Sequence, residues 1–212
     1  MSNQNDLYTE SYLLTKKYGT SYFYSALLLT KSERNHIYAL YSLCRYADDL
    51  VDVNDGKPGT SLNAKKNLIE FEQRVNESIA TKYQGNNLFG AISKTWNELK
   101  LKNSLLDKFF LSMRMDLSVN SYKTLKELQK YTDGSAAVIG EMVLPVIAPD
   151  IPHDDIRQSA RNLGDAFQLT NFIRDIGEDL IRGRTYLPLD DFEEFGVNPD
   201  GIVENDAFKE FL

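Results

Sequence analysis

Four aspartates stand out by their spacing. Asp48 and Asp52 are four residues apart, and so are Asp175 and Asp179. On a helix of 3.6 residues per turn, a four-residue step places two side chains on one face, one turn apart. In the first segment Tyr41, Arg45, Asp48 and Asp52 follow at i, i+4, i+7 and i+11. In the second, Gln168, Asn171, Asp175 and Asp179 follow at i, i+3, i+7 and i+11. Each set offers a hard cation only oxygen donors, from carboxylates and a side-chain amide. Mg²⁺ suits such donors, because it keeps several waters and needs only one or two carboxylates beside substrate phosphates. If the two helices face one cavity, several Mg²⁺ ions could hold a diphosphate there and neutralise it as a leaving group.

The plainer reading is a solvated acidic face. A lone D-x-x-x-D is common in helices. Like charges one turn apart cost a helix roughly 0.2–0.5 kcal/mol, and no Lys or Arg lies one turn after Asp52 to offset this. The neighbours are aromatic and apolar, not generally charged. Arg45 can pair with Asp49, Arg174 with Glu178, and Glu178 with Arg182, so those residues have a bland account as surface pairs. Asp175 and Asp179 have no partner at that spacing.

The elements that carry these acids read as helices throughout. Apolar residues recur every three or four positions, and no stretch alternates long enough for a strand. The expected helices run near 5–18, 21–29, 33–53, 62–82, 88–99, 103–118, 124–147 and 153–182. A helix start is expected at 205–212, and the segment after Arg182 reads as loop. Thr30-x-x-Glu33 has the form of a capping box. Asp154 and Asp155 suit the first turn of the last long helix. Leu40, Leu43, Ala47, Leu50 and Val51 form the apolar stripe of the first acid-bearing helix. Ala166, Leu169, Ile173, Ile176 and Leu180 form that of the second.

Composition narrows the function. The chain has 212 residues, 24 Lys and Arg against 31 Asp and Glu, and a net charge of −7. That argues against nucleic acid as a partner, since phosphate backbones need a basic face. One Cys, Cys44, and two His, His36 and His153, exclude a disulfide framework and a structural zinc site. No apolar run approaches the ~20 residues of a membrane span. The polar N-terminus does not read as a signal peptide. The expectation is one all-α domain over residues 1–212, in the cytoplasm, with peripheral membrane contact left open.

The residues carry a resemblance. Tyr38-Ala-Leu-Tyr-Ser-Leu-Cys-Arg-Tyr-Ala-Asp-Asp-Leu-Val-Asp52 resembles a signature of the squalene/phytoene synthase family. So do Leu163-Gly-Asp-Ala-Phe-Gln-Leu-Thr-Asn-Phe-Ile-Arg-Asp-Ile-Gly-Glu-Asp179 and Arg182-Gly-Arg-Thr-Tyr-Leu-Pro188. Ser21-Tyr-Phe-Tyr24, Arg114-Met-Asp116 and Gly134-Ser-Ala-Ala-Val-Ile-Gly140 add weaker matches, and bacterial phytoene synthases are the most similar subfamily. The resemblance implies an isoprenoid-synthase helical bundle around a central cavity. It implies Mg²⁺-dependent head-to-head condensation of two prenyl diphosphates, with geranylgeranyl diphosphate giving phytoene for carotenoid biosynthesis. No NADPH is expected, since the chain shows no dinucleotide fingerprint.

Carried over by position, Asp48, Asp52, Asn171, Asp175 and Asp179 would hold Mg²⁺. Tyr18, Ser21, Tyr41, Arg45 and Arg174 would contact diphosphate or substrate, and Gln168 would line the site. The Arg182–Tyr186 segment would close over its mouth, with Arg184 as a further phosphate contact. Tyr22, Phe23, Tyr24, Tyr41, Phe167 and Phe172 could face carbocations, though each fits ordinary core packing as well. Gly134, Ala136, Ala137 and Gly140 mark a close approach to a backbone, either of a substrate chain's tunnel or of a neighbouring helix. Ala26, small where farnesyl-using relatives are bulkier, implies a C20 substrate. Asp133 is an acid where the family is usually neutral.

The family normally continues for several more helices, so the chain reads as C-terminally incomplete. Three alternatives stay open: a farnesyl-using squalene- or dehydrosqualene-type synthase, a head-to-tail prenyltransferase or terpene cyclase, and a non-catalytic truncated helical homologue. Asp48-Asp49-Leu-Val-Asp52 also fits the D-D-x-x-D of the head-to-tail enzymes, and Gly164-Asp-Ala-Phe-Gln168 echoes their G-x-x-F-Q. Their second site is also D-D-x-x-D, whereas this chain has N-x-x-x-D-x-x-x-D.

Overall fold

The computed structural model describes residues 6–52 and 60–198. The helix start expected at 205–212 lies outside them. The described chain is all-α, in the order α1 (Thr9–Tyr18), α2 (Thr20–Ala26), α3 (Lys31–Asp52), α4 (Thr60–Ala80), α5 (Leu88–Glu98) and α6 (Asn103–Asp116). Then come α7 (Leu125–Thr132), a π-helical turn (Asp133–Ala137), α8 (Val138–Ile147), α9 (His153–Ile181) and α10 (Leu189–Glu194). An isolated parallel bridge joins Ser121 and Thr185. The residues divide into two compact units, 6–106 with 141–157, and 107–140 with 158–198.

In the first unit, α3 begins where the capping box predicts. The Thr30 amide donates to Glu33 Oε2 at 2.8 Å, and the Glu33 amide donates to Thr30 Oγ1 at 3.4 Å. Leu40, Leu43, Ala47 and Val51 are buried, while Leu50 is half-buried. Tyr8, Ala39 and Ala91 pack as one cluster, and Phe23, Ala26 and Tyr38 as another. Burying the polar side chains here requires partners. Thr95 Oγ1 meets His36 Nδ1 at 3.1 Å, and Glu10 accepts from the Leu88 amide at 2.7 Å.

In the second unit, α7, α9, α10 and the loops beside them bury Tyr122, Leu128, Tyr131, Phe172, Leu187 and Phe192. Thr124 caps α7 by accepting from the Glu127 amide at 3.2 Å. The expected continuous helix at 124–147 is interrupted by the π-helical turn. There Asp133 pairs with Arg161 and, at 2.9 Å, with Lys108. Three glycines set the close packing around it. A Cβ on Gly164 would lie 2.5 Å from the Ala136 carbonyl oxygen, and Cβ atoms on Gly134 and Gly140 would meet the carbonyls of Lys108 and Ala160. The small residues at 134–140 therefore meet the backbones of α6 and α9.

Two expectations are corrected here. The segment after Arg182 is not all loop, because Pro188 caps the start of α10 and Asp190 and Asp191 occupy its first turn. On α9, Leu169 and Ile176 do pack against the second-unit core, but Ala166 and Ile173 are exposed. The buried line centres on Phe172, rotated from the stripe read in the sequence.

Candidate functional site

The first-unit set sits on α3 and the α1–α2 junction. Gly19 separates the two short helices, and the ring of Tyr41 lies against it: a Cβ there would sit 2.6 Å from the ring carbon Cζ. Tyr22 packs on the same ring, with centroids 5.5 Å apart. One turn along α3, the Arg45 guanidinium lies 4.9 Å over the Tyr18 ring and pairs with Asp49, as the spacing predicts. Its buried Nε has no hydrogen-bond partner among the described residues. Tyr18, Tyr41 and Arg45 are thus brought together. Ser21 is exposed on α2, Asp48 is half-buried, and Asp52 is exposed at the end of α3.

The charges of this face register in their neighbours. Burial raises the Tyr41 phenol and Arg45 opposes it, with Asp48 adding to the rise. Burial, reinforced by Asp48, also raises the Cys44 thiol far above its usual range, which disfavours the thiolate.

The second-unit set sits on α9. Gln168, Asn171, Asp175 and Asp179 are all half-buried. Arg174 does not take Glu178 as the i,i+4 spacing suggests. It donates to its neighbour Asp175 through Nε at 2.7 Å and Nη2 at 2.6 Å. Asp175, expected to have no partner, therefore has a bidentate one, because a long side chain can fold back over the adjacent residue. That bond holds the Asp175 carboxyl below its ordinary value. Asp179 moves the other way: burial raises it, and the negative charge of Asp175 adds to the rise. Glu178 pairs with Arg182 at 2.6 Å, as expected.

The end of α9 is a Schellman motif. Gly183, at φ +72°, donates to the Leu180 carbonyl at 2.9 Å, and the Arg184 amide donates to the Asp179 carbonyl at 2.8 Å. Arg184 is thereby held at the turn that carries Asp179. The segment beyond is laced to the α6–α7 connection. The Thr185 amide donates to the Asn120 carbonyl at 2.7 Å, Leu189 to Tyr122 at 3.0 Å, and Asp190 to Lys123 at 3.0 Å.

One contact network was not legible in the sequence, where Asp116 and Tyr186 stand only as members of separate matched motifs. Asp116 is only 6% exposed. It accepts from Tyr131 at 2.9 Å and from Tyr186 at 3.2 Å. Tyr186 in turn stacks on Phe172, with centroids 4.4 Å apart and planes 9° apart, and accepts from Arg184 Nη1 at 3.4 Å. A signal for the burial of Asp116 alone was present: Leu106, Phe109, Met113 and Asp116 continue one helical stripe that is apolar until its last member. Of the expected aromatic wall, Phe23 and Phe172 are core residues, whereas Tyr22, Tyr24 and Phe167 are more than half exposed.

Among the described residues, no three His, Cys, Asp or Glu side chains gather tightly enough to hold an ion by themselves. That is compatible with Mg²⁺, which takes few protein carboxylates and completes its shell with water and phosphate oxygens. The donor chemistry fits as well. Asp175 and Asp179 repel each other across one turn, and a cation would relieve that repulsion. Among the described residues no helix is long and apolar enough to cross a membrane.

Comparison with known proteins places the chain in a family. Residues 15–212 match a family model described as squalene/phytoene synthase. The chloroplastic phytoene synthase of an Oncidium hybrid cultivar is 32% identical over 215 residues, covering 98% of this chain and 51% of the relative. The 4,4'-diapophytoene synthase of Staphylococcus haemolyticus is 26% identical, covering 99% of this chain and 72% of the relative. The crystal structure of a dehydrosqualene synthase in complex with ligand matches with a TM-score of 0.83 and 26% identity, over 97% of this chain and 70% of that one. The chain spans about half the length of the plant relatives it matches, 51%, 50% and 53% for three of them.

Proposed function

The chain belongs to the squalene/phytoene synthase family, and from that premise we propose that it condenses two geranylgeranyl diphosphates head to head into phytoene, a carotenoid precursor. The observation that carries the reading is the doubled acid pair. Asp48 and Asp52 on α3, and Asn171, Asp175 and Asp179 on α9, give oxygen-only donors beside Arg45, Arg174 and Arg184. These five residues would hold Mg²⁺, which when bound supplies charge neutralisation of the departing diphosphate.

The residues of the chain do the rest. Arg45, Arg174 and Arg184 bring fixed positive charge to phosphate oxygens. The Tyr41 hydroxyl, whose ionisation burial further disfavours, is available to donate a hydrogen bond to a phosphate oxygen. Tyr18, Ser21 and Gln168 orient the substrate. The first ionisation breaks a C–O bond, releases one diphosphate and, with loss of a proton, gives a cyclopropylcarbinyl diphosphate. The second ionisation releases the other diphosphate, and rearrangement with loss of a proton gives the C40 hydrocarbon. Aromatic faces stabilise cations without offering an attacking oxygen, and Tyr22, Tyr24, Tyr41 and Phe167, which lie outside the core, are the candidates.

A second reading, with farnesyl diphosphate as substrate and a C30 product, is favoured by the relatives named diapophytoene and dehydrosqualene synthase. Small Ala26, buried against Phe23 and Tyr38, favours the longer chain. The test is incubation of the chain with Mg²⁺ and either diphosphate, the product being identified by mass. A C40 product from the C20 substrate is expected. A C30 product alone would overturn the chain length, and no hydrocarbon from either would overturn the activity of this chain.

A further inference from the structure

We propose that Asp116 is a positioning residue for the diphosphate-binding end of α9, acting through Tyr186 on Arg184 and Asp179. The inference rests on the reading of Asp179 and Arg184 as site residues, and it adds a group that touches neither metal nor substrate. A buried carboxylate is costly unless its oxygens are well satisfied. Asp116 spends one oxygen on Tyr131 and the other on Tyr186. Hydrogen bonds to a carboxylate are of the stronger kind.

Their effect is directional. Tyr131 belongs to α7, whereas Tyr186 belongs to the strap that follows α9, so one carboxylate ties the strap to the body of the unit. The strap is otherwise held by three backbone bonds to residues 120–123 and by the stack of Tyr186 on Phe172. Within it, the Arg184 backbone is fixed to the Asp179 carbonyl, and the Arg184 side chain reaches the Tyr186 hydroxyl. A continuous chain of contacts thus runs from Asp116 through Tyr186 and Arg184 to the last acidic turn of α9. The charge of Asp179 is also felt at the Tyr186 phenol, alongside those of Asp116 and Arg184. On this account the strap is a clasp fixed before substrate arrives rather than a free lid. Its rigidity sets where Arg184 and Asp179 meet a diphosphate.

The test uses the 212-residue chain, with Asp116→Asn and Tyr186→Phe as variants. Tyr186→Phe keeps the ring stacked and removes only the hydroxyl, so it serves if Asp116→Asn does not fold. Trypsin cleavage after Arg184 reads the opening of the clasp without any ligand, because cleavage tracks the open population. Each variant should raise that cleavage about ten-fold or more, as expected for loss of a charge-assisted bond. Cleavage at exposed Lys66 should be unchanged. Titration with inorganic pyrophosphate at fixed Mg²⁺ reads the site, and each variant should weaken it about ten-fold. The double variant should be no worse than either single one, since both break the same chain. Unchanged cleavage after Arg184 would overturn the clasp. Faster cleavage with pyrophosphate affinity within two-fold of wild type would reduce Asp116 to a structural residue. A wild-type chain that binds no pyrophosphate would instead refute the functional reading beneath, and the positioning role with it.

Discussion

Gly164 and Gly177 lie on the same helix, α9, and the same substitution should move stability in opposite directions at the two. At Gly164 an added Cβ would lie 2.5 Å from the Ala136 carbonyl oxygen, 3.0 Å from its carbon and 3.3 Å from Ala137 Cα. All three are backbone atoms at the π-helical turn and cannot rotate away. Overpacking of this kind costs about 1–3 kcal/mol, and rigid neighbours place it near the top. Alanine regains about 1 kcal/mol of helix propensity over glycine. The net loss for Gly164→Ala is then about 2 kcal/mol, or roughly 4–8 °C in Tm for a chain of this size. At Gly177 a Cβ meets no atom of the described residues within 4 Å, so only the propensity gain remains, roughly 2–4 °C upward. Thermal unfolding followed by circular dichroism compares the two. If Gly164→Ala melts at or above wild type, the close approach of α9 to the π-helical turn is wrong.

Three further outcomes are expected. Burial holds the His36 imidazole below its ordinary value, against the pull of Glu98. A base depressed on folding contributes stability that is present above its unfolded value of about 6.5 and lost as pH falls toward the folded one. Tm should therefore drop on acidification below pH about 6.5 and flatten in His36→Gln; an unchanged slope in the variant would refute this. Asp133→Ala, which strips Arg161 and Lys108 of their shared carboxylate, should cost about 2 kcal/mol of stability, and a variant as stable as wild type in urea would count against the ion triad. Because the proposed C40 product is insoluble in water, the chain is expected to co-sediment with phospholipid vesicles; recovery in the supernatant alone would argue that release needs no bilayer.

Much of this was legible in the sequence, and the reasons are local. Helix period, the Thr30–Glu33 box and the Arg45–Asp49 spacing are set by residues within a turn of each other. They appear in the fold as read. What escaped depends on contacts distant in sequence. The break at 133–137 arises where Gly134, Gly140 and Gly164 let backbones touch, and nothing in the periodicity of 124–147 signals it. Arg174 chose its neighbour Asp175 over Glu178, a preference that side-chain reach decides and helical spacing does not. The bonds of Asp116 escaped because its partners, Tyr131 and Tyr186, are 15 and 70 residues away, and no local spacing joins them. α10 was missed because six residues are too few to show a period.

The central proposal is that the acids of α3 and the acids of α9 are each needed for Mg²⁺-dependent binding of a prenyl diphosphate. Calorimetric titration of the chain with a non-hydrolysable geranylgeranyl diphosphate analogue tests it most directly, with and without Mg²⁺, in wild type, Asp48→Ala and Asp175→Ala. Binding should require Mg²⁺ and fall by at least a hundred-fold in either variant, while both keep wild-type helix content. Mg²⁺-independent binding, or wild-type affinity in Asp175→Ala, would contradict the account.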